Sequence, residues 1–218
     1  MKEKPEATKG DFLHTGVRAA LGAIPLLGSV ATEVFNQIFT PPLTRRRDEW
    51  IESIATALTL LEAKIDGFKL GSLSGNESFI TAALHATQAA IRTHQREKLD
   101  ALRNAILNVA TNRAPDDDLQ LIFLTLVDSF TPWHIRILRY FDDHPTQAKS
   151  GYESGDLFKT YPELEGKASF YEQIVRDLNL HGLVKSNVIP GTYTAFMPFA
   201  GKTTELGKTF LAFITYPM

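Results

Sequence analysis

Apolar positions recur at intervals of three and four residues along most of the chain, the pattern of amphipathic helices packed on a core. The most apolar stretch runs from Ala19 to Thr32 (AALGAIPLLGSVAT) and carries no charge. Pro25 disfavours helical geometry at Ile24, so residues 12–40 are expected as two short helices joined at Gly22-Ala23-Ile24-Pro25, or as one kinked helix. Pro41-Pro42 is expected to end that unit. Trp50, Ile51, Ile54, Ala57, Leu58, Leu61 and Ile65 then predict a helix from Thr44 to Gly67, followed by a loop at residues 71–75. A third helix starts at Asn76, a good cap, and its apolar side passes through Ile80, Leu84, Ile91, Leu102, Ala105 and Val109, a length of about 30 residues. Its polar middle, RTHQREKLD, is a solvated stretch or a kink.

Ala114-Pro115 followed by Asp116-Asp117-Asp118 marks the clearest boundary, because proline stops one helix and acidic residues favour the start of the next. Residues 119–127 (LQLIFLTLV) predict a short apolar helix. Thr131-Pro132 caps another, in which Trp133, Ile137, Leu138 and Phe141 share a face. Beyond a Gly/Ser-rich loop at 150–155 come a short helix at 156–162 and a helix at 169–180 with Phe170, Ile174, Val175 and Leu178 inward. That helix ends at His181-Gly182. A strand from Leu183, a Pro190-Gly191 turn and a returning strand at 192–197 (TYTAFM) follow. The last segment, TTELGKTFLAFI, predicts a terminal helix with Leu206, Phe210, Leu211 and Ile214 inward.

This order of elements makes residues 131–216 resemble a winged-helix domain, through L-x-x-x-G-L-V at Leu178–Val184 and T-x-L-G-K-x-F-L at Thr204–Leu211. The expected fold class is mainly α. A loose tail at 1–11 precedes an N-terminal helical domain at 12–114, whose apolar Gly/Pro hairpin opens it. A C-terminal winged-helix-like domain with a small two-stranded β wing occupies 115–218. The Gly/Pro apolar opening, Phe79-Ile80 and DDDLQLIFLTLVDSF before TPWHIRIL also resemble a family of helical bacterial proteins associated with abortive phage infection, the abortive-infection alpha group. The resemblance covers roughly half the chain by pattern. It implies a bacterial protein in a phage-defence neighbourhood and supplies no mechanism.

Composition narrows the chemistry. The 218 residues include 23 basic and 25 acidic side chains, for a net charge of −2, and no cysteine. Without cysteine there is no disulfide, no thiolate nucleophile and no cysteine-type zinc site. The polar first eleven residues lack a cleavage signal, and the charge-free run is shorter than the ~20 residues a transmembrane helix needs. A cytoplasmic location is expected, with peripheral contact at the inner face of the membrane as the variant.

Candidate catalytic motifs fail on spacing. A phosphate loop needs four residues between its glycines, and five separate Gly201 from Gly207, so this stretch is expected to run from the wing edge into the last helix. In Gly71-Ser72-Leu73-Ser74-Gly75 the apex of a nucleophile elbow is occupied by Leu73. His85 and His94, nine residues apart on one helix, fall on opposite faces. His94 and Glu97 share a face, but no second copy of the motif exists, so His94 is expected as a partly buried residue bonded across the bundle. His134 is expected to pack on Trp133. The acidic clusters at 116–118 and 142–143 supply too few oxygens for a hard cation. No catalytic residue, cofactor, metal or small-molecule substrate is expected.

Partner preference turns on charge. Residues 115–218 hold nine basic side chains against thirteen acidic ones, which disfavours a nucleic-acid duplex. Under the DNA-binding alternative the contacts are Arg176, Lys185 and Lys202. Arg45, Arg46 and Arg47, with Lys2, Lys4 and Lys9 on the other side of the apolar hairpin, are the candidate membrane or partner contacts. The competing reading pairs those arginines with Asp48, Glu49 and Glu52 beside a buried hairpin. The expected function is that of a non-enzymatic interaction protein acting by self-association or protein docking in phage defence. The alternatives are a winged-helix transcriptional regulator and a membrane effector using residues 12–40.

Overall fold

The computed structural model describes residues 29–144, 157, 159–186 and 201–217. They fall in two units, residues 1–48 and 49–218. The tail at 1–11, the Pro25 joint, the loop at 150–155, the Pro190-Gly191 turn and the strand expected at 192–197 lie outside the described residues. The described part is mainly helical, with one two-stranded antiparallel sheet.

Helix α1 (Ser29–Lys64) runs unbroken through Pro41-Pro42, where a stop and a fresh start at Thr44 are expected. Proline removes a donor and costs about 3 kcal/mol in a helix interior, but its fixed φ of about −65° is helical. The pair is therefore tolerated at a cost in helix stability. From Trp50 onward α1 is amphipathic: Trp50, Ala57, Leu58 and Leu61 are buried, and the Trp50 indole donates to Thr87 Oγ1 at 3.0 Å. A 3-10 helix (Leu70–Gly75) turns the chain and buries Leu73.

Helix α2 (Glu77–Arg92) starts where expected, with the Asn76 side chain accepting from the Phe79 N–H at 3.0 Å. The single long helix expected from Asn76 is instead two, α2 and α3 (Arg96–Ala110), packed on each other. The break at residues 93–95 has a local cause. Thr93 adopts an extended backbone, and its hydroxyl accepts the Gln95 N–H at 3.1 Å, so a side chain takes a bond the helix ladder would have used. Ala82, Ala86, Ala89 and Ala90 on α2 and Ala101 and Ala105 on α3 are buried, and side chains this small let the helices approach closely.

Helix α4 (Asp117–Ser129) is capped by Asp116, whose carboxylate accepts the Leu119 N–H at 3.0 Å. At its other end the buried Lys98 ammonium donates to the Asp128 carbonyl at 2.7 Å, a cation at the negative pole of the helix. Helix α5 (Pro132–Asp143) begins at the Thr131-Pro132 stop, and α6 (Ala168–Leu180) follows a 3-10 turn at Pro162–Leu164. Strand β1 (Val184–Ser186) pairs with β2 (Gly201–Thr203), with Val184 opposite Thr203 and Lys185 opposite Lys202. Helix α7 (Glu205–Phe213) starts on Thr204, whose hydroxyl accepts the Gly207 N–H at 3.0 Å.

One hydrophobic cluster reaches from Trp50 to Ile214 and takes residues from both sides of Ala114-Pro115. At its centre Phe123 meets Phe210 edge-on at 5.2 Å and lies 5.8 Å from Phe213. Helix α7 is locked to α3 by amides. The buried Asn108 Nδ2 lies within donating distance of the carbonyls of Phe213 (2.8 Å) and Thr215 (2.7 Å), and Asn104 Nδ2 donates to that of Ile214 at 3.1 Å. The carbonyls left over at the end of α7 thus find partners about a hundred residues back in the chain.

Candidate interaction surface

The amphipathic half of α1 leaves one flank uncovered, because its inward stripe is narrow and the next positions round the helix are mixed. Glu49, Glu52, Ser53, Thr56, Ala57 and Leu60 line that flank and meet Arg103 of α3 and Tyr216, forming an open groove of about 610 Å³. Leu60 is 51% exposed there. Arg103 also holds Asp100 at 2.8 Å. The groove therefore brings carboxylates, an exposed leucine and a guanidinium to one opening. Ala57 lies on the core side of this helix as its spacing predicts, and Glu49 and Glu52, expected as partners of the arginines at 45–47, line the groove with Arg103 and Tyr216 from distant parts of the chain.

A second exposed apolar position lies at the end of α6, where Leu180 is 79% exposed just before the His181-Gly182 turn. Gly182 has a left-handed φ of +70° and a Cβ there would meet Leu206, itself partly exposed, at 3.7 Å.

The sequence-derived candidates are distributed as follows. Arg45, Arg46 and Arg47 lie on α1, and Arg47 pairs with Asp48 at 3.1 Å. Arg176 is exposed on α6. Lys185 and Lys202 are brought together, directly opposite each other across the ladder and both exposed. No acidic side chain occurs between them in residues 187–200. Residues 12–28 of the apolar segment lie outside the described residues. Among the described residues, no single helix is long and apolar enough to cross a membrane.

A few titratable side chains are held between helices or buried. Glu97 and Arg136 form a hydrogen-bonded pair between α3 and α5, and the guanidinium holds the Glu97 carboxyl below the usual carboxylate range. Arg136 also lies 5.0 Å from the centre of the Trp133 ring. Burial pushes the Lys98 ammonium and the Tyr161 phenol toward their neutral forms. His94 is exposed in the break between α2 and α3. The expected helical spacing to Glu97 does not exist there, and His94 is not the partly buried residue expected. His134 is buried, but its ring stacks on Phe130 at 4.5 Å and 7° between planes, where Trp133 was the expected neighbour. Facing α6, its Nε2 lies 3.3 Å from Asp177 Oδ2. Among the described residues no group of three or more His, Asp or Glu side chains is placed to hold a metal ion. The missing Cβ of Gly207 lets α7 sit against the Leu183 carbonyl.

Comparison of the chain with protein-family models, with curated proteins and with solved structures finds no match.

Proposed function

We propose that this protein acts without catalysis, by self-association, and that the groove beside α1 is the contact. The observation that carries the reading is the make-up of that groove. Most dimers are two-fold, and a two-fold contact presents the same patch on both copies, so the patch must complement itself. A groove with the exposed Leu60 and the half-buried Tyr216 for apolar burial, Glu49 and Glu52 for negative charge and Arg103 for positive charge meets that demand. Glu52 of one copy facing Arg103 of the next would repeat twice about the axis. The setting that the abortive-infection resemblance implies is phage defence.

Sedimentation velocity over a concentration series tests this. Wild-type protein should sediment faster as concentration rises, and Leu60→Asp, which puts a charge on an already exposed position, should stay monomeric while keeping its helical circular dichroism. A wild-type protein that remains monomeric throughout, or a Leu60→Asp variant that associates equally well, rejects the reading.

A second reading has one specific observation behind it. We infer a winged-helix arrangement for α5, α6, the β1-β2 pair and α7, in which Lys185 and Lys202 sit opposite each other at the base of the wing. Like charges directly opposed across a ladder destabilise it, and an outside anion would relieve them. Against nucleic acid stands the acidic excess of residues 115–218. A mobility shift with duplex DNA that survives physiological salt and is lost in Lys185→Glu would favour this second reading.

A further inference from the structure

The start of α5 is a reciprocal cap with an unusual member. In such caps the third helical residue reaches back to the backbone N–H of the capping residue, and that position is ordinarily Glu or Gln. Here it is a histidine: the Thr131 N–H donates to His134 Nδ1 at 3.1 Å. Because that nitrogen accepts, the ring is neutral and carries its proton on Nε2, which points at Asp177 Oδ2 on α6 at 3.3 Å. The same ring stacks on Phe130, whose other neighbours are His181 at 5.6 Å and Phe210 at 6.2 Å. One imidazole thus ties together the end of α4, the first turn of α5 and the last turns of α6.

We propose that the Thr131–His134 cap is an acid-sensitive latch: protonating the imidazole removes the acceptor that fixes the first turn of α5. The incoming proton must go to Nδ1. The Thr131 hydroxyl, 2.9 Å from that nitrogen, can turn its oxygen to receive the new N–H. The Thr131 backbone N–H then loses its protein acceptor and, at this exposed residue, is left to water, so the reciprocal bond of the cap is gone. The new positive charge also sits at the positive pole of α5.

The charged groups acting on the ring are Asp177, which favours protonation, and His181, which opposes it when charged. Asp177 is shared, since Gln173 Nε2 donates to its Oδ1 at 2.7 Å. From the end of α4 the neighbour is Phe130, which does not titrate and which itself packs on Phe210 of α7. Burial outweighs the carboxylate and pushes the His134 ring below the ordinary imidazole range. The folded state therefore binds fewer protons than the unfolded one. Stability is full above the unfolded value of about 6.5 and is lost as pH falls through the folded value.

The test is a pH titration of the full chain by NMR, following the His134 ring and the exchange protection factor of the Thr131 amide. The ring should protonate below about 6.5, with Thr131 protection falling in step and the folding constant dropping by at most about tenfold per pH unit from this group. His134→Gln restores the usual cap acceptor and should hold Thr131 protection flat over the same range. Asp177→Asn should move the midpoint further to acid. A His134 ring that titrates at or above the ordinary value overturns the latch. So does a Thr131 amide whose protection does not follow the ring, and the wild-type titration decides this even if His134→Gln fails to fold.

Discussion

Replacing Gly207 by alanine sets two physical effects of opposite sign against each other. In the first turns of a helix, glycine is less favourable than alanine by about 1 kcal/mol, so propensity alone predicts that Gly207→Ala stabilises. The packing predicts the reverse. A Cβ at Gly207 would lie 2.2 Å from the Leu183 carbonyl oxygen and 2.9 Å from Thr203 Cγ2. Neither can swing aside cheaply. The Leu183 carbonyl is held by the Thr204 N–H at 3.0 Å and lies 3.2 Å from the Thr204 hydroxyl, and Thr203 is buried. Overpacking of this kind costs about 1–3 kcal/mol, and disturbing the Thr204 cap adds about 1 more. The net expectation is a loss of about 2 kcal/mol. Equilibrium urea unfolding followed by circular dichroism reads this as a lower midpoint at unchanged slope. Gly71→Ala is the control, because a Cβ there meets nothing within 4 Å and no midpoint loss is expected. A Gly207→Ala variant as stable as the wild type, or more so, would refute the close approach of α7 to the Leu183 carbonyl.

Three further outcomes follow from the same contacts. Asn108→Ala strips the buried amide from the carbonyls ending α7 and should cost about 2 kcal/mol in urea unfolding, with faster amide exchange confined at first to the C-terminal helix. Trp50→Phe removes the indole donor to Thr87 and should cost about 1 kcal/mol, since Thr87 keeps its own bond to the Ala83 carbonyl at 2.7 Å. Glu97 is held below its unfolded value by Arg136, so its contribution is present above about pH 4.3 and disappears as pH falls through the folded value. The pair is partly exposed, so Glu97→Gln should cost less than about 1 kcal/mol near neutral pH and flatten the acid end of a stability profile.

Local chemistry made much of the fold legible. Asn76, Asp116 and the Thr131-Pro132 stop each mark a helix start in the sequence, and each sits where its helix begins. These signals act within four residues, so a sequence holds them whole. Two misreadings have the same root in reverse. Pro41-Pro42 reads as a stop, though proline only weakens a helix whose flanking turns persist. The polar stretch from Arg92 reads as a kink within one long helix and is a full break, because an apolar period can continue across two helices that pack on each other. The candidate surface was less visible. Glu52 and Arg103 lie about fifty residues apart, and His134 meets Asp177 over a separation of 43. No periodicity encodes such meetings. The cap at Thr131 did carry a readable signal, a histidine where Glu or Gln is usual, and it was passed over for the neighbouring indole.

Charge exchange at Glu52 and Arg103 is the sharpest probe of a self-complementary groove beside α1. Sedimentation equilibrium should show Glu52→Arg and Arg103→Glu each reduced to monomer, because each places like charges across the two-fold contact. The double variant carrying both changes should recover the association. Association of the single variants at wild-type strength, or a double variant no better than either, would contradict the claim.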